Sequence, residues 1–302
     1  MRFSIVVTYP EWKEKAEVID SIREMDYPKS KFEIIALPGP GSPSIYRNNG
    51  AEKGKGEIIV FLDDDAIADK ELLKKADKFF KEHKEIDIVG GPQLTPPDEK
   101  GFAKISGYAL SSKFGGWKTA DRYGKGKLNL DADDTSLTSA IMFCKKRVFE
   151  KVRFDEMLFP GEDPKFITDA KRKGFRVAYS PDLVVYHRRR PTLGKMMRQI
   201  FNYGKVVFSR ASFIQILKKP FFLVPSLFFI YIVGLIIDIL LGINWPFFLP
   251  LILYLWLDFL FSLYESVKNR DLIALFSLIF IFPMIHLSYG SGMIYGFIKK
   301  YL

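Results

Sequence analysis

The sequence predicts an α/β domain of Rossmann-like type, built on a mostly parallel sheet, then an amphipathic helix, then helices that cross a membrane. Three observations carry this. Apolar strand-like runs alternate with helical patterns over the first 190 residues. Three consecutive aspartates close one of those runs. Beyond residue 220 the chain turns into long apolar stretches.

The elements follow in order. Residues 3–8 (FSIVVT) read as a buried strand, and 12–25 show helical spacing up to the Asp26-Tyr27-Pro28 turn. Residues 32–37 (FEIIAL) form a second strand, stopped by Pro38-Gly39-Pro40-Gly41. Helix is expected over 45–55, a third strand over 57–62 (EIIVFL), helix over 70–83 and a fourth strand over 86–90. Such a βαβα order implies parallel strands joined by helices on both faces. Sheets of this kind bind ligands at the carboxyl ends of their strands, where the strand order reverses. The loops after Thr8, Leu37 and Leu62 are therefore where chemistry is expected. Further on, 140–144 read as a strand that buries Cys144, 165–173 as helix, and 183–187 as a strand ending in His187.

From Phe221 onward the basic residues are Lys268, Arg270, Lys299 and Lys300, and the acidic ones Asp238, Asp258, Glu265 and Asp271. These cancel, so the whole net charge of +10 belongs to the first 220 residues. The apolar runs 221–242, 245–264 and 272–298 are each long enough for a helix across the hydrocarbon core, which needs about 20 residues. A buried core of a water-soluble protein is the alternative, but runs this long are rare there. Asp238 and Asp258 inside the runs are costly in lipid and are expected to face protein or water. Residues 193–208 space Leu193, Met196, Met197, Ile200, Phe201, Val207 and Phe208 along one helical face, as in a helix lying at the membrane surface. An ordinary packed surface helix has the same pattern. The basic residues before the first run, from Arg188 to Lys219, favour a cytoplasmic face for the first 220 residues. Three spans would then put Lys299 and Lys300 outside, against the same rule, unless the third segment is re-entrant or the N-terminal bias dominates. The expected segments are thus 1–190, 191–219 and 220–302.

A hydrophobic fraction of 48% with 26% charged residues excludes a disordered chain. The single cysteine excludes a disulfide framework or a cysteine-rich zinc module. Met1-Arg2 leads into a strand, not a secretory signal. The basic excess lies next to the apolar runs, where lipid headgroups attract it, so membrane lipid and not nucleic acid is the expected partner.

Three carboxylates, Asp63, Asp64 and Asp65, at the end of an apolar strand repel one another until a divalent cation arrives. Oxygen donors suit Mg²⁺ or Mn²⁺. The alternative is a solvated acidic turn. Pro160-Gly161-Glu162-Asp163-Pro164 precedes a helix and offers either a general base or a helix cap. His187 at its strand end is a metal or diphosphate ligand, or an exposed neighbour of Arg188-Arg189-Arg190.

Taken together, these stretches resemble the family-2 inverting glycosyltransferases of GT-A fold, in particular the membrane-anchored enzymes of the succinoglycan-type branch and their archaeal relatives. The matching residues are Tyr46-Arg47-Asn48-Asn49-Gly50, the run from Lys55 to Asp65, Asp134-Thr135, residues 143–150, and Phe154-Asp155-Glu156. Pro160-Gly161-Glu162-Asp163, residues 174–182, Gln199-Ile200-Phe201-Asn202-Tyr203-Gly204 and residues 286–290 complete the set. The resemblance implies a nucleotide-diphosphate sugar donor held by Thr8, Tyr9, Glu11, Pro38, Arg47, Asp63 and Asp64. It implies a metal held by Asp65 with Asp63 and His187, a catalytic base at Asp163 beside Glu162, and an acceptor or diphosphate side at Asp134, Arg198, Gln199, Asn202 and Tyr203. It implies a polyprenyl- or dolichyl-linked acceptor at the cytoplasmic membrane face. The Glu162-Asp163 pair favours a hydroxyl acceptor over a bare lipid phosphate, which is already ionised and needs no base. Two departures stand out. The family's Asp-Asp-Gly-Ser turn is replaced by Pro38-Gly39-Pro40-Gly41-Ser42, and its Pro-x-Tyr-Asn loop by Thr8-Tyr9-Pro10-Glu11. A catalytically inactive membrane scaffold of the same fold is the rival reading, motivated by that missing nucleobase carboxylate.

Overall fold

A computed structural model describes residues 1–217, 219–242 and 245–302. Lys218, in the basic stretch, and residues 243 and 244, between the first two apolar runs, lie outside the described residues. The chain divides into two compact units, Met1–Glu99 with Lys118–Arg188, and Lys100–Trp117 with Arg189–Leu302.

The first unit has the expected α/β fold class. Its elements in order are β1 (Phe3–Tyr9), α1 (Val18–Arg23), β2 (Phe32–Pro38), α2 (Pro43–Lys53), β3 (Ile58–Asp63), β4 (Ala66–Ala68), α3 (Leu72–Glu82), β5 (Ile88–Gly90) and β6 (Gln93–Leu94). The second unit then contributes α4 (Gly101–Ser111) and α5 (Lys113–Gly116). The first unit resumes with β7 (Ile141–Lys145), α6 (Glu162–Arg172), β8 (Val177–Tyr179) and β9 (Val185–His187). Six strands form one sheet in the order β2-β1-β3-β7-β5-β8. β1 lies parallel between β2 and β3, whereas β7 runs antiparallel to both β3 and β5. The strands are apolar on both faces because helices cover both. Ile5, Val7, Val60 and Phe143 pack on one side, and Val6, Ile59, Phe61 and Met142 on the other.

A second, three-stranded sheet has the order β4-β9-β6. Its antiparallel register sets Ala66 opposite His187. This short pairing brings His187 to the aspartates that end β3.

The helix expected over 12–25 starts only at Val18. Residues 11–15 are turns, with the Lys13 amide bonded to the Pro10 carbonyl. A cluster of five charges on residues 11–17 brings no apolar stripe to bury.

In the second unit, α7 (Leu193–Lys205), α8 (Val207–Arg210), α9 (Phe213–Leu217), α10 (Val224–Leu241), α11 (Leu249–Lys268) and α12 (Ala274–Tyr301) follow. The helices at Pro220–Leu241, Leu249–Lys268 and Ala274–Tyr301 are long and apolar enough to cross a membrane. Their outer residues, such as Leu240, Ile252 and Phe280, are largely exposed, as lipid-facing side chains would be. Helix α12 runs unbroken through Pro283. Asp258 faces protein as expected: it is fully buried, and one oxygen accepts from the Ser262 hydroxyl at 3.3 Å.

Helix α7 is amphipathic, and Met196 and Ile200 pack with Leu278, Phe282 and Ile285 of α12. Its apolar stripe is thus taken up by a neighbouring helix, while Lys195 and Arg198 are exposed. The approach depends on small residues, as membrane helix pairs commonly do. A Cβ on Gly292 would lie 2.2 Å from the Phe201 carbonyl oxygen, and one on Gly296 2.1 Å from that of Lys205. Gly292→Val should therefore force α7 and α12 apart and destabilise the helical unit by about 1–3 kcal/mol, the usual range for overpacking. Thermal unfolding in detergent checks this, and an unchanged midpoint would contradict the packing.

Candidate functional site

Asp63 is the last residue of β3, in register with Thr8 of β1. Successive side chains at a strand end point to opposite faces. Asp63 and Asp65 accordingly share one side with His187, and Asp64 turns to the other. His187 Nε2 lies 3.0 Å from Asp65 Oδ1 and 3.8 Å from Asp63 Oδ2. One ligand atom from each of the three lies within 4.8 Å of the other two. His187 Nδ1 is 2.9 Å from the Arg188 carbonyl oxygen. A carbonyl only accepts, so Nδ1 carries a proton and Nε2 is the atom presented to the carboxylates. Two carboxylates and an imidazole, all partly open to solvent, form a donor set that fits a divalent cation.

Arg47 comes from the first half of α2, which starts at Pro43 with the Ser42 hydroxyl accepting from the Ser44 amide. The Tyr46–Gly50 motif has a local explanation. Asn48 clamps Phe154 through two 2.9 Å bonds to its backbone, and Gly50 sits against Val6, where a Cβ would collide at 2.3 Å. Arg47 is thereby held under the sheet end, 7% exposed, with its guanidinium over the Phe154 ring. It donates to Glu162 Oε1 at 2.8 Å and to Asp63 Oδ1 at 3.4 Å, and lies 3.5 Å from Asp163 Oδ1.

Glu162 and Asp163 open α6. The preceding Gly161 has φ 111°, in the left-handed region that only glycine occupies readily, and this turn aims both carboxylates at Arg47. The capping alternative for Asp163 is not what the geometry shows. Gly161 holds the cap position, and Asp163 Oδ2 instead accepts the Ser139 amide at 3.0 Å from the loop before β7. Asp163 Oδ1 makes no hydrogen bond.

Electrostatics follow from this crowding. Burial raises Glu162 well above the usual carboxylate range, and the Asp163 charge adds to it, with Arg47 opposing. Burial likewise pushes Asp63 up to about 6 against the pull of Arg47 and His187. At Asp65 burial is outweighed by the His187 hydrogen bond and charge, with help from Lys13, and its carboxyl sits below the ordinary value.

The structure thus gathers Arg47, Asp63, Glu162 and Asp163 into one network and Asp65 and His187 beside it. Thr8 and Tyr9 are half-buried and Glu11 and Pro38 exposed, all at or just beyond the carboxyl ends of β1 and β2. Asp134 is half-buried in the loop before β7, its carbonyl accepting from Arg122. Arg198, Gln199, Asn202 and Tyr203 belong to α7 of the second unit, where Gln199 Nε2 donates to the Tyr203 hydroxyl at 2.7 Å. Two groups escaped sequence reasoning. The Ser139 amide is a backbone donor and carries no residue-type signal. Lys13 did have one, a cation in the loop after the first strand; its Nζ lies 2.5 Å from Asp64 Oδ2.

A strand-end aspartate cluster with a histidine thus lies beside a second carboxylate site at a helix start, the two joined through Arg47. Residues 1–202 match the profile described as "Glycosyltransferase like family 2". The chain belongs to that family. Over 114 residues it is 29% identical to the poly(ribitol-phosphate) beta-N-acetylglucosaminyltransferase TarS of Staphylococcus aureus, spanning 28% of this chain and 19% of that protein. The chain therefore spans about a fifth of the length of that relative. Over 305 residues it is 22% identical to the dolichyl N-acetyl-alpha-D-glucosaminyl phosphate 3-beta-D-2,3-diacetamido-2,3-dideoxy-beta-D-glucuronosyltransferase of Methanococcus voltae, covering 83% of this chain and 92% of that one. Among solved structures, the mannosyltransferase PcManGT of Pyrobaculum calidifontis, in complex with GDP-Man and Mn²⁺, superposes with a TM-score of 0.55 at 15% identity, over 99% of this chain and 88% of that chain. The shared architecture is a GT-A-like domain with C-terminal helices.

Proposed function

We propose that this glycosyltransferase moves a sugar from a nucleotide-diphosphate sugar to a hydroxyl of a polyprenyl- or dolichyl-linked saccharide, with inversion at the anomeric carbon. The observation that carries the reading is Asp163: one oxygen fixed by the Ser139 amide, the other unbonded, beside Arg47 and across from the aspartate end of β3. Asp163 accepts the proton of the acceptor hydroxyl as that oxygen bonds to the anomeric carbon. The bond from that carbon to the diphosphate oxygen breaks on the opposite face, and its electron pair leaves with the nucleoside diphosphate. Inversion follows from this single displacement. Glu162, bonded to Arg47, keeps the guanidinium in position next to Asp163.

Asp63, Asp65 and His187 would hold Mg²⁺ or Mn²⁺, and such an ion supplies charge neutralisation for the departing diphosphate. Support comes from the donor set and from the Mn²⁺ and GDP-Man complex of the Pyrobaculum relative. The lipid-linked acceptor is supported by the Methanococcus relative, named as acting on a dolichyl-linked sugar, and by three helices able to span a membrane. The basic stretch before them favours a cytoplasmic catalytic domain. Thr8, Tyr9, Glu11 and Pro38 on the donor side, and Asp134, Arg198, Gln199, Asn202 and Tyr203 on the acceptor side, are assigned by resemblance.

Asp65→Ala should remove metal-dependent donor binding. Titration calorimetry of a nucleotide-sugar panel, with and without Mn²⁺, is the test: the wild-type protein binds a donor only with the ion, and the variant loses that difference. Equal binding by the variant would refute a metal site here.

A further inference from the structure

Lys13 lies in the loop after β1, between the Pro10 turn and the start of α1, and nothing in the mechanism above uses it. Its side chain is only 18% exposed. Two carboxylates lie within 4 Å of its Nζ. Nζ is 2.5 Å from Asp64 Oδ2 and 3.9 Å from Glu17 Oε1, and the charge of Asp65 also reaches it. The loop is tied to the same aspartates by backbone, the Val18 amide donating to the Asp64 carbonyl at 3.1 Å.

Two charge considerations bear on this lysine. A diphosphate arriving beside Asp63 and Asp65 brings negative charge to a site already rich in carboxylates. Arg47 cannot answer that charge alone, because it is buried and committed to Glu162, Asp63 and Asp163. Lys13 carries its cation on a flexible stem, and an ammonium acts on phosphate as a point charge without strict geometry. Its present partner, Asp64, is the aspartate that turns away from the metal-ligand group. The Asp64 carboxylate is thus taken up as a holder for the lysine, in place of the donor contact that the resemblance implies for it.

We infer that Lys13 is a donor-diphosphate ligand, parked on Asp64 until the nucleotide arrives. On binding, the ammonium exchanges the Asp64 carboxylate for a phosphate oxygen. No bond is made or broken covalently, and the residue acts in binding the leaving group. The inference rests on the nucleotide-sugar reading above and names one residue of that subsite.

The test separates a ligand from a structural latch. Titration calorimetry with Mg²⁺ and a panel of uridine, guanosine, adenosine, cytidine and thymidine diphosphates identifies the nucleotide that the full-length protein in detergent binds. That nucleotide is then titrated into Lys13→Met, Lys13→Arg and Asp64→Asn. A ligand role predicts at least about tenfold weaker binding for Lys13→Met, within the worth of one charged hydrogen bond. It predicts substantial rescue by Lys13→Arg, and binding for Asp64→Asn as tight as wild type or tighter, because the holder no longer competes. A latch role predicts instead that Lys13→Met and Asp64→Asn weaken binding alike, since both break the same pair. That result, or wild-type affinity in Lys13→Met, overturns the inference while leaving the donor reading intact. Wild-type protein that binds none of the diphosphates overturns the donor reading, and the inference falls with it. Thermal unfolding of each variant confirms that the loop change has not unfolded the domain.

Discussion

Asp163→Asn should abolish sugar transfer to a hydroxyl acceptor while leaving donor binding intact. The substitution is nearly isosteric, and the amide oxygen can still accept the Ser139 N–H that now fixes Oδ2. What disappears is the charge and the ability of the second oxygen to take a proton. A positioned base contributes about 10²–10⁴-fold to a proton-transfer step, which corresponds to about 3–5.5 kcal/mol of activation free energy. The fall should appear in kcat, because the acceptor's proton is taken only as the transition state forms. Donor affinity, measured by calorimetry with Mn²⁺, should stay within a few-fold of wild type, since Asp63, Asp65 and His187 are untouched. Full activity in the variant would remove the base role, and would point to an acceptor that is ionised beforehand. A loss of donor binding equal to the loss of rate would place Asp163 in the binding site instead.

How far the sequence reveals this site depends on the distance over which each part is encoded. The strands β1 and β3 are legible because long apolar runs end abruptly in polar residues, and Asp63 to Asp65 mark the carboxyl end without ambiguity. Gly161 before Glu162 and Asp163 similarly marks a sharp turn into a helix. Other features have no local signature. β7 runs antiparallel between β3 and β5, and nothing in residues 141–145 (IMFCK) distinguishes that direction from a parallel one. The grouping of residues 100–117 with the C-terminal helices is equally silent, since α4 has the composition of an ordinary domain helix. Arg47 can be picked out as a site residue from its motif, but its partner Glu162 is 115 positions away. Only the folded sheet reveals that it serves as a shared counter-ion. Lys13 shows the reverse case. Its loop has a helical look on paper, yet Pro10 and the pull of Asp64 keep it open, and the lysine is thereby left at the edge of the aspartate cluster.

Arg47→Met should be the most damaging single change to the stability of the α/β domain. Methionine fills much of the same volume and keeps the contact with Phe154, so the substitution isolates the charge. It leaves Glu162, 4% exposed, without its 2.8 Å partner, and removes the cation within 3.5 Å of both Asp63 and Asp163. Breaking a buried ion pair from one side typically costs about 3–5 kcal/mol, because the remaining charge is stranded. The loss should depend on pH in a specific direction. Glu162 is already raised by burial and by Asp163, against the pull of Arg47 and of a backbone hydrogen bond. Without Arg47 the folded protein holds the Glu162 proton more tightly still, whereas in the unfolded chain the group returns to its ordinary value. The folded state then binds more protons than the unfolded one, so stability falls as pH rises between those two values. Urea unfolding at pH 5 should show a modest deficit, since a proton on Glu162 or Asp63 substitutes for the missing guanidinium. At pH 8 the full deficit should appear. Arg47→Lys keeps a charge but loses the fork that reaches two carboxylates at once, and should fall between the two. A deficit independent of pH would mean that Arg47 contributes packing alone, and the carboxylates would then need another source of neutralisation to coexist at the end of β3.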